Sequence, residues 1–267
     1  MVEERLAGRH GPARGSACSP TTHPRRMARA GRHSDPAISW VCHWRDAFTL
    51  DACFGLSIRK NLGPRDEVLL LRGHGSLAAA YALAEERARG DLLVFCHEDV
   101  FLKPGWRAGF LAAVGLVEQQ DPAWGVLGAW SVTMTRTDPA EPYRTVFFGN
   151  VRDTMAHYRA GVPEDAESHQ VFVRPVGAVD ALLVAKPRGG PAWDPKVPGF
   201  HGAVEDVCLR AHHDRRGVWG MAVYTEHWCR PFDLEGEGYQ DAKAYLLGKW
   251  RQSVLTTCGA WAYEPLG

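Results

Sequence analysis

A short apolar segment that ends in polar side chains is the feature that most constrains the fold of this chain. Residues 92–96 are uniformly apolar, and they are followed at once by His97, Glu98 and Asp99 and then by a Pro-Gly turn. The segment is too short for a helix and is bounded by turn residues, so it predicts a buried strand. Ligands of α/β sheets bind at the carboxyl ends of strands. Carboxylate and imidazole groups at such an edge suit a divalent cation.

The segments around this strand alternate between strand and helix patterns. Strand patterns cover residues 38–43, 67–71, 124–130, 171–173, 178–185 and 220–225, and helical patterns cover 47–58, 76–89, 106–118, 204–216 and 241–253. Ser76 is expected to cap its helix. The alternation predicts an α/β fold with a mostly parallel central sheet flanked by helices. Residues 131–170 predict a long insertion or flap, and 187–202 predict a Gly/Pro-rich loop.

The formal charge is zero but unevenly distributed along the chain. Residues 1–36 contain seven Arg and only three acidic residues, without apolar periodicity. This composition predicts a disordered basic N-terminal segment followed by a single domain over residues 37–267. Whether residues 1–26 are translated stays open, with Met27 as the alternative start. The zero net charge gives no reason to expect a nucleic-acid partner.

The cysteines and the lengths of the apolar runs indicate in which cellular compartment the protein is expected. The seven Cys are odd in number, irregularly spaced and without a Cys-x-x-Cys pair, which predicts reduced, buried thiols in a cytoplasmic protein. No apolar run approaches 18 residues, so no transmembrane segment is expected, and association with a membrane surface is left open. The glycine motifs of dinucleotide-binding and P-loop enzymes and the nucleophile elbow of α/β-hydrolases are missing, which disfavours those three classes.

Acidic residues and histidines also cluster at two later element ends. Glu205-Asp206 opens a predicted helix, and Glu226-His227 closes a predicted strand. Taken alone, an acidic pair in a first helical turn is usually explained by the helix dipole. Their occurrence together with His97 and Asp99 at the edges of one predicted sheet favours a shared functional site.

The order of these motifs resembles that of GT-A glycosyltransferases, in the family-two-like group whose strand ends in His-x-Asp-Val. The matching segments are 76–81, 88–100, 124–128, 179–184 and 193–211, so the resemblance covers roughly residues 38–228. It implies a GT-A (nucleotide-diphospho-sugar transferase) fold. It also implies an inverting transferase that moves a sugar from a nucleotide-diphosphate sugar to an acceptor hydroxyl.

The resemblance further implies roles for individual residues. Asp99 and His227 would hold Mn²⁺ or Mg²⁺ against the donor diphosphate. Asp206 matches the catalytic base, with Glu205 as a supporting acid or acceptor contact. Nucleotide-sugar contacts are implied for Cys42, His43, Trp44, Ser76, His97 and Asp180, and acceptor contacts for Phe200, His201 and Trp228. The acceptor class (glycan, lipid or small molecule) and a homodimer are left open.

Three departures from the family pattern keep other functions in view. His97 replaces the first Asp of the metal motif, Arg72 stands where an acidic residue commonly follows the second strand, and Ala82 replaces an amide. A catalytically inactive GT-A-like protein that binds sugar nucleotides is therefore one alternative. A second alternative is a metal-dependent hydrolase or nucleotidyltransferase that uses the same cluster. Its product would be a sugar phosphate, whereas a glycosyltransferase releases free nucleoside diphosphate.

Overall fold

The computed structural model describes residues 35–135, 144–154, 156–163, 170–228, 237–257 and 259–261. Apart from its last two residues, the predicted disordered segment 1–36 lies outside the described residues. The helices are α1 (Ala47–Leu50), α2 (Leu56–Ile58), α3 (Leu77–Arg87), α4 (Trp106–Gln120), α5 (Ala203–His213) and α6 (Glu237–Trp250), with a π-helical turn at Asp51–Gly55 between α1 and α2.

The strands are short and belong to three sheets. They are β1 (Ile38–His43), β2 (Glu67–Leu71), β3 (Leu92–His97), β4 (Val100–Phe101), β5 (Val126–Gly128), β6 (Trp130–Thr135), β7 (Arg144–Asp153), β8 (His157–Ala160), β9 (Val173–Pro175), β10 (Ala178–Val179), β11 (Leu183–Pro187), β12 (Val218–Met221), β13 (Thr225–His227), β14 (Val254–Thr256) and β15 (Gly259–Trp261).

The largest sheet is mixed, which does not confirm the predicted mostly parallel arrangement. Its strand order is β2-β1-β3-β11-β5-β12-β9. β1 lies parallel to β2 and β3, and β12 lies parallel to β5, whereas the other neighbours are antiparallel. The difference arises mainly at β11, which runs antiparallel to both of its neighbours, β3 and β5.

Both faces of the large sheet are covered, which explains why its central strands are apolar throughout. Val41 and Phe95 point into the core under α3 and α5, whereas Trp40 and Val94 point into the core under α4. All six residues of β1 are buried. Strands that are buried on both faces give continuous apolar runs rather than alternation.

A second sheet of order β10-β6-β7-β13-β4, with β8 paired to β7, stands beside the first. The described part of the predicted insertion or flap 131–170 supplies most of β6 and all of β7 and β8, so this segment contributes strands to the second sheet. These strands have polar residues on exposed positions, and their apolar periodicity is correspondingly weak. Residues 136–143, 155 and 164–169 of the predicted flap lie outside the described residues.

Other element boundaries agree with local sequence signals to different degrees. Ser76 caps α3 as predicted, since its hydroxyl oxygen accepts a hydrogen bond from the backbone N–H of Ala79 at 3.1 Å. The predicted strand 178–185 is divided between the two sheets, and the β14–β15 hairpin was not predicted. Across the described residues, no helix is both long enough and apolar enough to cross a membrane.

Candidate functional site

Three candidate metal ligands converge where the two large sheets meet. His97 is the last residue of β3, Asp99 follows in the turn to β4, and His227 is the last residue of β13. β13 pairs antiparallel with β4, which sets His227 opposite Val100. The backbone N–H of Trp228 also donates to the carbonyl of Asp99 at 2.9 Å. This strand pairing brings together side chains that are far apart in the sequence.

The distances within this cluster fit a bound cation. One nitrogen or oxygen atom from each of His97, Asp99 and His227 lies within 4.8 Å of the others. The Nε2 atom of His227 is 3.4 Å from Oδ1 of Asp99, and Nδ1 of His97 is 4.0 Å from the same oxygen. Oδ1 of Asp99 and Nε2 of His227 are both buried without a hydrogen-bond partner. Buried polar atoms are normally satisfied, and a divalent ion between these two would satisfy both.

Asp153 adds a fourth polar group behind the cluster. β7 and β13 are parallel neighbours with Asp153 beside His227, and Oδ2 of Asp153 is 3.9 Å from Nδ1 of His227. A carboxylate behind a ligating histidine orients the ring and strengthens it as a ligand. Asp153 lies in the predicted flap, and no local sequence motif indicates its proximity to His227.

The electrostatic environment at His227 favours positive charge. Burial disfavours the imidazolium, but the Asp99, Asp180 and Asp153 carboxylates outweigh that effect and raise the pKa of His227. Burial similarly opposes ionisation of Asp99, whereas His227 and His97 outweigh it and lower the Asp99 pKa. The negative potential that favours a proton on His227 would equally attract a metal cation.

Glu98 has a structural role although it stands between two candidate ligands. Its Oε2 atom accepts hydrogen bonds from the backbone N–H groups of Arg45 at 2.5 Å and Asp46 at 3.0 Å. Glu98 therefore joins the turn after β3 to the turn after β1. Its carboxylate points toward that turn and away from the metal cluster.

The end of β1 lies beside His97, and the residues that follow β1 and β2 carry aromatic and cationic groups. The ring of His43 is only 7% exposed, and its Nε2 atom has no hydrogen-bond partner within the described structure. Burial, together with His74, Arg45 and His97, lowers the pKa of His43 to about 4, so the imidazole is neutral. The guanidinium of Arg72 lies 4.4 Å from the centre of the Trp44 ring.

Two of the predicted nucleotide contacts, Cys42 and Ser76, make contacts within the fold. Cys42 is 0% exposed and packs in the core under α4, so its thiol does not reach the site surface. Burial raises the pKa of this thiol well above its ordinary value. The hydroxyl of Ser76 is engaged in capping α3, and Ser76 also forms an isolated β-bridge with Gly199. Among the described residues, the free cysteines Cys42, Cys53, Cys96 and Cys208 are all buried.

Asp180 occupies a central position among the candidate site residues. Its Oδ1 accepts from the backbone N–H of Leu182 at 2.9 Å, and its Oδ2 accepts from the Thr257 hydroxyl at 2.6 Å. Its negative charge contributes to the pKa shifts of four site residues, which are His97, His201, Glu205 and His227. A carboxylate has about four lone-pair sites, so Asp180 retains capacity for a ligand hydroxyl.

The three predicted acceptor contacts occupy different positions. The ring of Phe200 packs against His43 at 5.2 Å and lies 5.0 Å from the Arg45 guanidinium, beside the end of β1. His201 meets Tyr239 of α6 edge-on at 5.2 Å. Trp228 is 53% exposed and directly follows a candidate metal ligand. Of the three, Trp228 offers the most open aromatic surface.

The two acidic residues at the start of α5, Glu205 and Asp206, have different surroundings in the structure. Asp206 is 1% exposed, and its Oδ1 accepts hydrogen bonds from Lys249 and from the Trp250 indole, both at 2.7 Å. This position disagrees with the role of proton acceptor that the resemblance implies for Asp206. Glu205 remains partly exposed. Burial, with a further contribution from Asp180, raises the Glu205 pKa to about 7.

Comparison with known proteins supports the fold. No protein-family profile matches the sequence. The chain is similar to GalNAc-T7, whose crystal structure contains UDP, GalNAc and Mn²⁺, with a TM-score of 0.53 and 11% identity over 81% of this chain and 50% of that one. A mannosyltransferase from Pyrobaculum calidifontis in complex with GDP-Man and Mn²⁺ has a TM-score of 0.41 and 13% identity, over 80% of this chain and 61% of that one.

One curated relative was found by sequence. The protein named "ATP synthase subunits region ORF 6" from Fuscovulum blasticum is 25% identical over 171 residues, which is 62% of each chain. The present chain thus spans about half of GalNAc-T7 and less than two thirds of this relative. The likeness to GalNAc-T7 supports a GT-A-like fold for this chain, with a mixed sheet flanked by helices.

Proposed function

We propose that this chain is a metal-assisted, inverting glycosyltransferase that moves a sugar from a nucleotide-diphosphate donor to an acceptor hydroxyl. The observation that carries the proposal is the pair of buried, unpartnered ligand atoms on Asp99 and His227. They lie beside His97 at the junction of two sheets in a GT-A-like fold. GalNAc-T7 shares this fold, and its structure contains a nucleotide and Mn²⁺.

In this proposal the site residues divide into three groups. Asp99, His227 and His97 would hold Mn²⁺ or Mg²⁺, and the bound ion would neutralise charge that develops on the leaving diphosphate. His43 and Trp44, with the nearby Arg45 and Arg72 side chains, would border the nucleotide and attract its phosphates. Asp180 accepts hydrogen bonds from sugar hydroxyls, and Trp228 offers a stacking surface for the acceptor, as aromatic rings do for sugars.

The reaction is a single displacement at the anomeric carbon. The acceptor oxygen uses a lone pair to form the new C–O bond on the face opposite the diphosphate. The bond between the anomeric carbon and the diphosphate breaks, and its electron pair leaves with the diphosphate oxygen. The acceptor hydroxyl loses its proton to a carboxylate of the protein, as general base catalysis requires. Attack from the opposite face inverts the anomeric configuration.

Ligand-dependent stabilisation tests this function. We expect Mn²⁺ and UDP or GDP together to raise the melting temperature more than either alone, because ligands that bind only the folded state stabilise it by mass action. A ligand at 100 times its Kd adds about 2.7 kcal/mol. A panel of UDP- and GDP-sugars, followed by product analysis, should then show free nucleoside diphosphate. Release of sugar phosphate would favour the hydrolase or nucleotidyltransferase alternative. Binding without turnover of any donor would favour the inactive binding protein.

Replacement of His97 by aspartate should change metal selectivity. The natural cluster has two imidazoles and one carboxylate, and Mn²⁺ accepts imidazole nitrogen more readily than Mg²⁺, which keeps to oxygen ligands. We therefore expect the wild type to bind Mn²⁺ more tightly than Mg²⁺. In His97→Asp the ratio of the two affinities should fall by about tenfold or more, as measured by isothermal titration calorimetry. His74→Asp, at a histidine outside the cluster, is the control. An unchanged ratio in His97→Asp would mean that His97 is not a ligand.

A further inference from the structure

We propose that Glu205, and not the adjacent Asp206, is the base that takes the proton of the acceptor hydroxyl. This inference rests on the proposed glycosyltransferase function. It assigns a different residue from the one that the sequence resemblance selects. Three observations support it, namely the sequestration of Asp206, the placement of Glu205 toward Asp180, and the environment of the Glu205 carboxyl.

Asp206 is held by the C-terminal helix. Lys249 and Trp250 of α6 both donate to its Oδ1, and the guanidinium of Arg210 lies 3.9 Å from its Oδ2. Only 1% of the surface of Asp206 is exposed, so a substrate hydroxyl does not reach this carboxylate in the described structure, and its Oδ2 atom is buried without a hydrogen-bond partner. The surroundings of Asp206 therefore suit a structural anchor.

Glu205 points in another direction because consecutive helical residues are about 100° apart around the axis. The charge of Asp180 raises the Glu205 pKa, and the same charge acts on His97 and His227. Cys208 is three residues further along α5, on the same side as Glu205, and its thiol contacts the backbone of Val179, the residue before Asp180. Glu205 therefore lies on the side of α5 that faces the end of β10 and Asp180. The positive end of α5, which begins after Gly202, provides favourable electrostatics for its ionised form.

The carboxyl environment of Glu205 suits proton transfer. Burial and Asp180 raise its pKa from 4.5 to about 7, although the backbone N–H groups of Glu205 and Gly202 partly oppose the shift. A base is most effective when its pKa lies near the working pH. As the new glycosidic bond forms, the O–H bond of the acceptor breaks. Its electrons stay on the acceptor oxygen, and its proton moves to a Glu205 carboxylate oxygen.

The backbone contact with Gly202 also allows a purely structural explanation. Glu205 is the third residue of α5 after the N-cap Gly202, and a glutamate at this position commonly closes a helix by binding the cap N–H. Glutamine preserves that hydrogen bond, so Glu205→Gln removes the basicity while it keeps the structural contact. This variant separates the two roles.

Three variants test the inference with Mn²⁺ and the donor that the panel identifies. Glu205→Gln should bind Mn²⁺ and UDP or GDP like the wild type, but its rate of nucleoside diphosphate release should fall by about 10²–10⁴-fold. Glu205→Asp should recover part of the rate, and exogenous formate should partly rescue a Glu205→Ala variant. Wild-type turnover should increase with pH to a plateau above about 7, and Glu205→Gln should lose this dependence.

A measurement without donor or metal gives an independent check. The folded carboxyl holds its proton more tightly than the unfolded one, so wild-type stability should fall as pH rises from 4.5 to about 7. Glutamine does not ionise, so Glu205→Gln should not lose stability in this way as the pH rises. The melting temperature of Glu205→Gln minus that of the wild type should therefore rise over this pH window and then level off.

The outcomes separate the base assignment from the function itself. Full turnover in Glu205→Gln, with a wild type that is active, would overturn the assignment of Glu205 and leave the proposed function intact. Loss of turnover in a stable, donor-binding Asp206→Asn with an unaffected Glu205→Gln would return the role to Asp206. A wild type that binds neither Mn²⁺ nor a nucleotide would overturn the proposed function, and the base assignment with it.

Discussion

Asparagine in place of Asp99 is expected to reduce Mn²⁺ affinity by more than about 100-fold and to abolish sugar transfer. Asp99 is the only anionic member of the three-residue cluster, and both histidines approach its Oδ1 atom. Loss of partners outside the first coordination shell already costs about 10–100-fold in metal affinity, so loss of the charged ligand should cost more. The ion is expected to contribute several kcal/mol to transition-state stabilisation, and each 1.36 kcal/mol is about tenfold in rate.

Asp153→Asn is the matched control for this experiment. Asp153 stands behind His227 at 3.9 Å, so its replacement should weaken Mn²⁺ binding by only about 10–100-fold. Calorimetric titration of Mn²⁺, together with the rate of nucleoside diphosphate release, measures both variants. If Asp99→Asn binds Mn²⁺ with wild-type affinity while its fold is intact, the cluster is not the metal site.

Methionine in place of Lys249 should lower stability strongly without a direct effect on the metal cluster. Lys249 lies 2.6 Å from Asp194 and 2.7 Å from Asp206, so it links α6 to the loop before α5 and to α5 itself. Its removal leaves the carboxylate of Asp206 buried with one strong cationic partner fewer. Removal of one partner from a buried ion pair lowers the free energy of unfolding by about 3–5 kcal/mol. The Lys249 side chain is 22% exposed, so we expect a loss of stability near the lower limit of this range, about 3 kcal/mol. A loss of this size corresponds to a melting temperature that is lower by about 6–12 °C.

Two further variants show whether the Asp206 charge is the cause. Lys243→Met removes a lysine from the same helix and should change the melting temperature much less. Asp206→Leu combined with Lys249→Met removes both charges of the buried pair, and it should recover part of the stability that Lys249→Met loses, because paired removal leaves no uncompensated buried charge. If the double variant is less stable than Lys249→Met alone, the Asp206 charge is not what makes the single variant unstable.

The sequence was sufficient for elements that depend on local patterns. The strands Ile38–His43 and Glu67–Leu71 have the predicted bounds, and the polar end of Leu92–His97 lies at a sheet edge as expected. Ser76 is the N-cap that its position before an Ala-rich segment indicates. Each of these features depends on residues within one turn or one strand, so a single sequence contains enough information to predict them.

The strands within the predicted flap and the mixed character of the large sheet were not apparent from the sequence, for a related reason. β6 and β7 are partly exposed strands with polar residues, so their periodicity resembles that of an irregular segment. The antiparallel direction of β11 is a matter of its pairing with β3 and β5, which lie far from it in the sequence. Strand direction is set by how distant segments pair, and apolar periodicity alone does not contain that information.

The sequence by itself determined which residues could form the site, because His97, Asp99, Glu205 and His227 stand at the ends of predictable elements. Only the tertiary structure decided how they are used. The β4–β13–β7 pairing brings His227 to Asp99 and adds Asp153, while α6 engages Asp206 and the side of α5 that carries Glu205 and Cys208 packs toward Val179. Neighbouring residues on a helix point in different directions, so their roles depend on which surface each one meets.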